Sequence, residues 1–378
     1  MSDEIVIVTP EIAPGCGGVA DYTLRLVEHL NAPNARFLVP ATAGSQNITS
    51  NSQVELVVPR AKALLAKLPA SGGKVLVQYS AYGFDRFGYP AWLINALLDW
   101  KRNSHGLLVV MFHEIWAFWP VLNKNYVLQW LHRRKIRQLL TVADAVLTST
   151  KSQAEHLAAV SSNKIAIEVV PVGSNISCAA SPNSIRDQAL AVLFGLQGAR
   201  IRTLQSMRED LGLIAAARKI LKIVTFGAGG TTQGDRHERS LLSDLRLADG
   251  FEQRGPLAEE QVSRLLLSAP FALSGLDPLS LSKSCSFMAC AAHGVNVISP
   301  VAGLTEDEPA CWLVSPKELI AGLSEIELDA RAQHLREWQE RTGSWPQIAN
   351  KFRAALQFEN SGRREPLSIC GKDQDITR

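Results

Sequence analysis

Chemistry in this chain is concentrated in a few short stretches. The run LLVVMFHEIW (107–116) is apolar and then ends abruptly in His113 and Glu114. Polar groups at the carboxyl end of a parallel strand sit on the rim where open α/β sheets bind ligands. A histidine there can donate to a ligand hydroxyl, and a carboxylate can accept from one or polarise an attacking one. A plainer reading stands beside this: His113 satisfies a backbone carbonyl and Glu114 caps the next turn. The stretch TPEIAPGCGGVADYTLRL (9–26) reads as a strand end, a Pro- and Gly-rich turn and a helix beginning near Ala20. Gly15, Gly17 and Gly18 would let the backbone approach a phosphate or a sugar, with the helix N-terminus supplying N–H groups. They would equally serve a tight turn.

Three more stretches carry candidates. LSLSKSCSF (279–287) places Lys283, Ser284 and Ser286 just before or within the first turn of a helix, where an ammonium, hydroxyls and N–H groups make a competent anion site. The alternative is an ordinary serine N-cap beside a solvated lysine. FGAGGTTQGD (226–235) is a further glycine-rich loop, serving either a ligand or a turn. VLVQYSAYGFDRFGYPAWL (75–93) ends a strand in Gln78 and Tyr79 before an aromatic loop; with Asp21 these are the acceptor-side candidates. WLHRRKIRQLL (130–140) is basic and apolar at helical spacing, which suits docking on anionic membrane or a helix with one buried and one solvated face.

The elements that must position these residues alternate: short β-branched runs, then longer amphipathic segments, the pattern of βαβ units around parallel sheets. Strands are predicted at Ile5–Val8, Ala35–Val39, Val54–Val58, Lys74–Gln78, Leu107–Phe112, Ala145–Thr148 and Ile165–Val170. The same grammar restarts with strands at Ala191–Phe194, Lys222–Phe226, Ala269–Ser274 and Val295–Ser299. The intervening helices include Thr203–Leu211, Glu259–Leu267 and Cys285–Ala292. The expected class is therefore α/β, two Rossmann-like doubly wound domains facing a cleft. The boundaries expected are 1–175 for the first, a Ser-, Asn- and Pro-rich linker at 176–188, 189–334 for the second, closing helices over 335–358, and a mobile tail at 359–378.

Bulk properties fit a globular enzyme. Of 378 residues 46% are hydrophobic, which argues against a largely disordered chain, and a net charge of +3 is too small to imply nucleic-acid binding. The start MSDEIVIVTP has no basic region followed by an apolar one, so no secretory signal is expected. Cys16, Cys178, Cys285, Cys290, Cys311 and Cys370 show no C-x-x-C spacing. Free thiols and no metal site follow, and the expected location is the cytoplasm, with peripheral contact at the inner face of the membrane if the basic helix docks.

In order along the chain, GGVADYT, HEIW, ADAVLTSTKSQAEHL and VVPVGSNI, then FGAGG, FEQRGPLAEEQVSRLL, SFMACAAHGVNVIS and SWPQIANKF, form a series that resembles family four of the retaining glycosyltransferases. The resemblance covers about Ile5 to Leu356 and lies in the ordered series. It implies the GT-B fold, with the donor nucleotide held by the C-terminal lobe, the acceptor by the N-terminal lobe, and the last helix crossing back to the first lobe. The implied activity is retaining transfer from a nucleoside-diphosphate sugar to a glycan, glycolipid or polysaccharide, without metal or other cofactor. Gly17 and Gly18 would lie against donor phosphates or sugar, and His113 would touch the sugar. Two departures stand out. The family's paired glutamates fall at Leu281 and Ala289, and its arginine after the first glycine of the second lobe falls at Leu196. Arg200 and Arg202 lie near the place of the family's lysine and join Lys283, Ser284 and Ser286 as the donor-phosphate candidates. A catalytically weak or silent GT-B protein that binds a sugar nucleotide or acts as a scaffold subunit is the alternative, and an epimerase on the same fold is a third reading.

Overall fold

The computed structural model describes residues 5–12, 18–41, 53–116, 126–162, 165–178 and 186–357. The chain divides into two compact units, Met1–Val169 with Ala349–Arg378, and Val170–Ile348.

In unit 1 the elements run β1 (Ile5–Val8), α1 (Gly18–Leu30), β2 (Arg36–Pro40), β3 (Val54–Val57), α2 (Ala61–Leu65), β4 (Lys74–Tyr79), α3 (Ala81–Phe84), α4 (Ala91–Ser104), β5 (Leu107–Phe112), α5 (Tyr126–Val142), β6 (Ala145–Thr148), α6 (Lys151–Ser161) and β7 (Ile167–Val169). The seven strands lie in the order β3-β2-β1-β4-β5-β6-β7, with every pairing parallel. Helices cover parallel sheets on both faces, so the central strands carry continuous apolar runs: Val75, Leu76 and Val77 of β4 and Leu108 to Phe112 of β5 are fully buried. Each such side chain contributes about 1.5–3 kcal/mol by leaving water. α4 buries Leu93, Ile94, Ala96, Leu97 and Trp100, and Trp100 Nε1 donates to Pro69 O at 2.8 Å.

Unit 2 repeats the plan with β8 (Leu190–Phe194), α7 (Gln197–Ser206), α8 (Arg208–Ala216), β9 (Lys222–Phe226), α9 (Thr232–Asp244), β10 (Phe251–Gln253), α10 (Glu259–Ser268), β11 (Phe271–Leu273), α11 (Cys285–Ala292), β12 (Asn296–Ile298), α12 (Pro316–Ala321), α13 (Glu325–Gly343) and the first turn of α14 (Trp345–Leu356). Its sheet has five parallel strands in the order β10-β9-β8-β11-β12. Both sheets thus reverse their winding once, between β1 and β4 in unit 1 and between β8 and β11 in unit 2. Ligand sites of doubly wound sheets lie outside the strand ends at such a point.

Several boundaries differ from the expectation. The division falls at Val169/Val170 instead of at a linker over 176–188. Val170 to Asn175 are held by unit 2: Val172 N donates to Ser282 O at 2.9 Å, and Trp345 Nε1 donates to Ser174 O at 2.7 Å. The expected helix Thr203–Leu211 is two helices, broken at fully buried Met207 (φ −104°, ψ 10°). α9 and α12 were not read from the sequence. The tail 359–378, expected to be mobile, lies outside the described residues. No helix among the described residues is long and apolar enough to cross a membrane.

Candidate functional site

In unit 1 the candidates gather where β4 and β5 end. His113 N donates to Tyr79 O at 2.9 Å, and His113 O accepts from Gln153 Nε2 at 3.1 Å, so the backbone is held on both sides. Gln153 is itself fixed at the start of α6: its Oε1 accepts from Thr148 Oγ1 at 2.7 Å, and its N–H bonds Thr150 Oγ1. The imidazole and the Tyr22 ring form a T-shaped pair, centroids 4.9 Å apart at 78°, and its Nε2 lies 2.7 Å from Gln78 Oε1. Burial pushes the His113 pKa down to about 3, so the ring is neutral near pH 7. Exposed Glu114 accepts from Ser80 Oγ at 2.8 Å, which leaves carboxylate lone pairs open to solvent.

Two unit 1 expectations change. Tyr79 was read as an acceptor-side group, but it is fully buried and its hydroxyl shares a 2.5 Å hydrogen bond with His132 Nε2. It belongs to the core beneath the rim, because the strand's alternation turns Gln78 and Tyr79 to opposite faces of the sheet. The N-terminus of α1 is not an open anion seat either. Burial raises the Glu11 pKa, opposed by N–H bonds from Ala20 and Val19 and reinforced by the charge of Asp21. The helix therefore already holds a carboxylate at its positive end. Gly18 is the exposed first residue of α1, and Gly17 lies outside the described residues. Asp21 follows on the exposed side, its pKa raised by burial against the pull of Arg25.

In unit 2 the ends of four strands carry glycine: Gly195 after β8, Gly227 after β9, Gly255 after β10 and Gly275 after β11. Gly195 N donates to Phe226 O at 3.1 Å and Gly227 N to Gly255 O at 2.8 Å. A Cβ on Gly227 would lie 2.2 Å from Gly195 O, and φ there is +129°, so only glycine fits. The strand ends thus form a shelf of bare backbone. Gln197 fastens the next loop over it, with Oε1 accepting from Thr231 N at 3.0 Å and Nε2 donating to Asp235 Oδ1 at 2.6 Å. The first turn of α11 meets the shelf at Gly195, whose Cβ direction points at Ser286 Oγ, 3.6 Å away. Ser284 caps α11 by accepting from Phe287 N at 3.3 Å, and its hydroxyl lies 3.1 Å from Ser286 Oγ. Lys283 is exposed one residue earlier.

Arg200 is the clearest correction in this unit. It was read as a donor-phosphate contact, yet its side chain is 5% exposed and forks onto Glu238, 0% exposed, with both N···O distances 2.9 Å. Its Nη1 also donates to Gly195 O at 2.6 Å and to Gly227 O at 3.4 Å. The guanidinium is spent on the shelf's carbonyls, and the N–H groups of Gly195, Gly227 and Gly275 are themselves donated, to Phe226 O, Gly255 O and Thr203 Oγ1. Arg202 stays exposed, its Nη1 3.5 Å from a Cβ on Gly198 in the first turn of α7. Leu281 and Ala289, where the resemblance expected glutamates, are fully buried, and Leu196 is 60% exposed. Sequence reasoning missed Gln153, Gln197, Glu238 and Glu11. Only Glu11 carried a local signal, an acid preceding a helix start. Among the described residues no His, Cys, Asp and Glu cluster could hold a metal.

No family model matches the chain, and no curated protein matches it in sequence. Solved structures do match, over both units. HepE from Anabaena, in complex with UDP and glucose, gives a TM-score of 0.63 at 11% identity, over 94% of this chain and 99% of that one. Sucrose-phosphate synthase from Thermosynechococcus elongatus gives 0.60 at 13%, over 93% and 98%. The fold is GT-B. WaaG, a glycosyltransferase of lipopolysaccharide biosynthesis, has the same arrangement, with a TM-score of 0.59 at 13% identity over 93% of this chain and 99% of its own. At such identities the likeness speaks for the GT-B architecture and leaves residue roles to the chemistry of each site.

Proposed function

We propose that the protein is a retaining glycosyltransferase that moves a sugar from a nucleoside-diphosphate donor to a glycan, glycolipid or polysaccharide acceptor in the cytoplasm. The observation that carries the reading is the glycine shelf of unit 2. Its bare glycine surface lets a ligand approach, and the start of α11 beside it, with exposed Lys283 and Arg202, suits a diphosphate leaving group, on which negative charge grows as the glycosidic bond breaks. HepE, on the same fold, holds UDP-glucose. Ser284 and Ser286 add hydroxyl donors, and Lys283 supplies the charge a metal would otherwise bring. In unit 1, His113 contacts the sugar, Glu114 accepts from a hydroxyl, Gly18 lies against the donor sugar and Asp21 on the acceptor side, while Gln78 is buried behind His113.

A lipid-linked acceptor fits a second surface of unit 1. α5 exposes Val127 and Trp130, with Arg134 6.0 Å over the Trp130 ring, and the turn after α3 exposes Phe87 under Arg86 at 4.4 Å. Exposed rings beside arginines suit the headgroup region of an anionic membrane.

Calorimetry with a panel of nucleoside diphosphates and their sugars, followed by transfer assays with and without EDTA, tests the proposal. Expected are binding of one diphosphate, transfer that EDTA leaves unchanged, and at least a tenfold weaker affinity in Lys283→Ala, the loss of about 1.4 kcal/mol. Absence of any binding or transfer across the panel refutes it. Binding without transfer favours the silent, scaffold reading.

A further inference from the structure

The contact between Gln78 and His113 fixes more than a distance. Gln78 Oε1 lies 2.7 Å from His113 Nε2, and both side chains are buried, the glutamine at 0% and the histidine at 9% exposure. An amide oxygen can only accept, so the nitrogen that faces it carries the hydrogen. The ring is neutral because burial holds its pKa at about 3, so its other nitrogen is bare. The ring has little freedom to turn, with its backbone tied to Tyr79 and Gln153 and its ring in T-shaped contact with Tyr22. Gln78 Nε2 is buried with no hydrogen-bond partner among the described residues. Leaving an amide donor unpaired costs about 1–3 kcal/mol.

We propose that Gln78 is a positioning residue that locks His113 in the Nε2–H tautomer, so that His113 meets its ligand through Nδ1 as a hydrogen-bond acceptor. The sequence reading had His113 donating; the geometry reverses the direction. A neutral hydroxyl, which can donate, suits this nitrogen. A phosphoryl or carboxylate oxygen would face lone pair against lone pair and is disfavoured there. His113 then selects for a polyol face of the ligand and takes no proton in the reaction. That the hydroxyl belongs to a sugar rests on the function proposed above. The tautomer rests on the contact and on the burial that keeps the ring neutral.

The test is a two-bond 1H–15N correlation spectrum of the full chain with 15N-labelled histidine at pH 7. His113 signals are assigned by their loss in His113→Asn, and each variant's melting curve is recorded to establish that it folds. Expected is the Nε2–H pattern, with a bare, downfield Nδ1. Gln78→Glu should keep Nε2 protonated, since a carboxylate also accepts, whereas Gln78→Met should move both nitrogens toward averaged shifts. An Nδ1–H pattern in the unaltered protein would overturn the proposal, as would an unchanged Nε2–H pattern in Gln78→Met. No sugar enters the measurement, so calorimetry with the panel of nucleoside diphosphates and their sugars reports separately on the function. The expected spectrum without binding would retire the function reading and leave the tautomer standing.

Discussion

The buried histidines of unit 1 tie residue chemistry to stability. His113 titrates at about 3 and His132 at about 4 in the folded chain, both depressed by burial, against about 6.5 when unfolded. Between those values the unfolded chain binds protons that the folded chain refuses, so stability is full above about pH 6.5 and falls as the pH drops. Each ring contributes a slope of about 1.4 kcal/mol per pH unit within its window. Melting curves of the intact protein should therefore drop steadily from pH 7 to pH 5. His132→Phe should be destabilised at pH 7 by about 1–3 kcal/mol, because the Tyr79 hydroxyl loses its partner, but should show a shallower acid slope. A variant with the same slope as the unaltered protein would show that His132 is not the buried neutral ring described. At this scale the sequence revealed which residue types sit at strand ends, and it revealed less about where each side chain goes. Tyr79 and Arg200 were both read as ligand contacts, and both turned inward to partners 53 and 38 positions away. Such pairings depend on which helix packs over which strand, which no local spacing contains.

Among the elements, the unit 2 shelf depends on glycine and on one buried ion pair. Gly227→Ala places a methyl 2.2 Å from the backbone of Gly195, which cannot yield as a side-chain tip would. Urea unfolding should show a loss of about 3 kcal/mol or more, or no folded unit 2 at all. The Arg200–Glu238 pair should behave asymmetrically. Arg200→Met alone strands a buried carboxylate and should cost about 3–5 kcal/mol, while Arg200→Met with Glu238→Leu should recover much of that. Recovery of stability without recovery of any diphosphate binding found in the unaltered protein would assign the guanidinium to shaping the shelf. Equal losses in the single and double variants would count against the stranded charge as the cause. The strands themselves were readable to within a residue or two wherever they were long and β-branched, as at Leu107–Phe112. Short, half-exposed β10 and polar α9 were not, because their positions come from packing on neighbours and their own composition is that of loops.

At the scale of the whole molecule, both doubly wound units were legible from alternation alone, and the strand orders add a switch point to each. The exposed rings of unit 1 belong to this scale because they serve no core. Sedimentation with vesicles should show the protein bound to anionic lipid and free of zwitterionic lipid, with binding weakened at least fivefold in Trp130→Ala with Phe87→Ala and screened by salt. Equal binding to both vesicle types, or none, would set the membrane reading aside. The domain division carries a further consequence. Unit 1 is assembled from both ends of the chain, and Phe352, fully buried with its ring 6.4 Å from Tyr22, comes from the far end. On the ribosome, where segments emerge in order, the first unit must wait through the synthesis of the entire second one before it can close. A nascent chain arrested once Ile348 has emerged from the ribosome should hold a finished unit 2 and an unfinished unit 1, with protease sensitivity in the part made first.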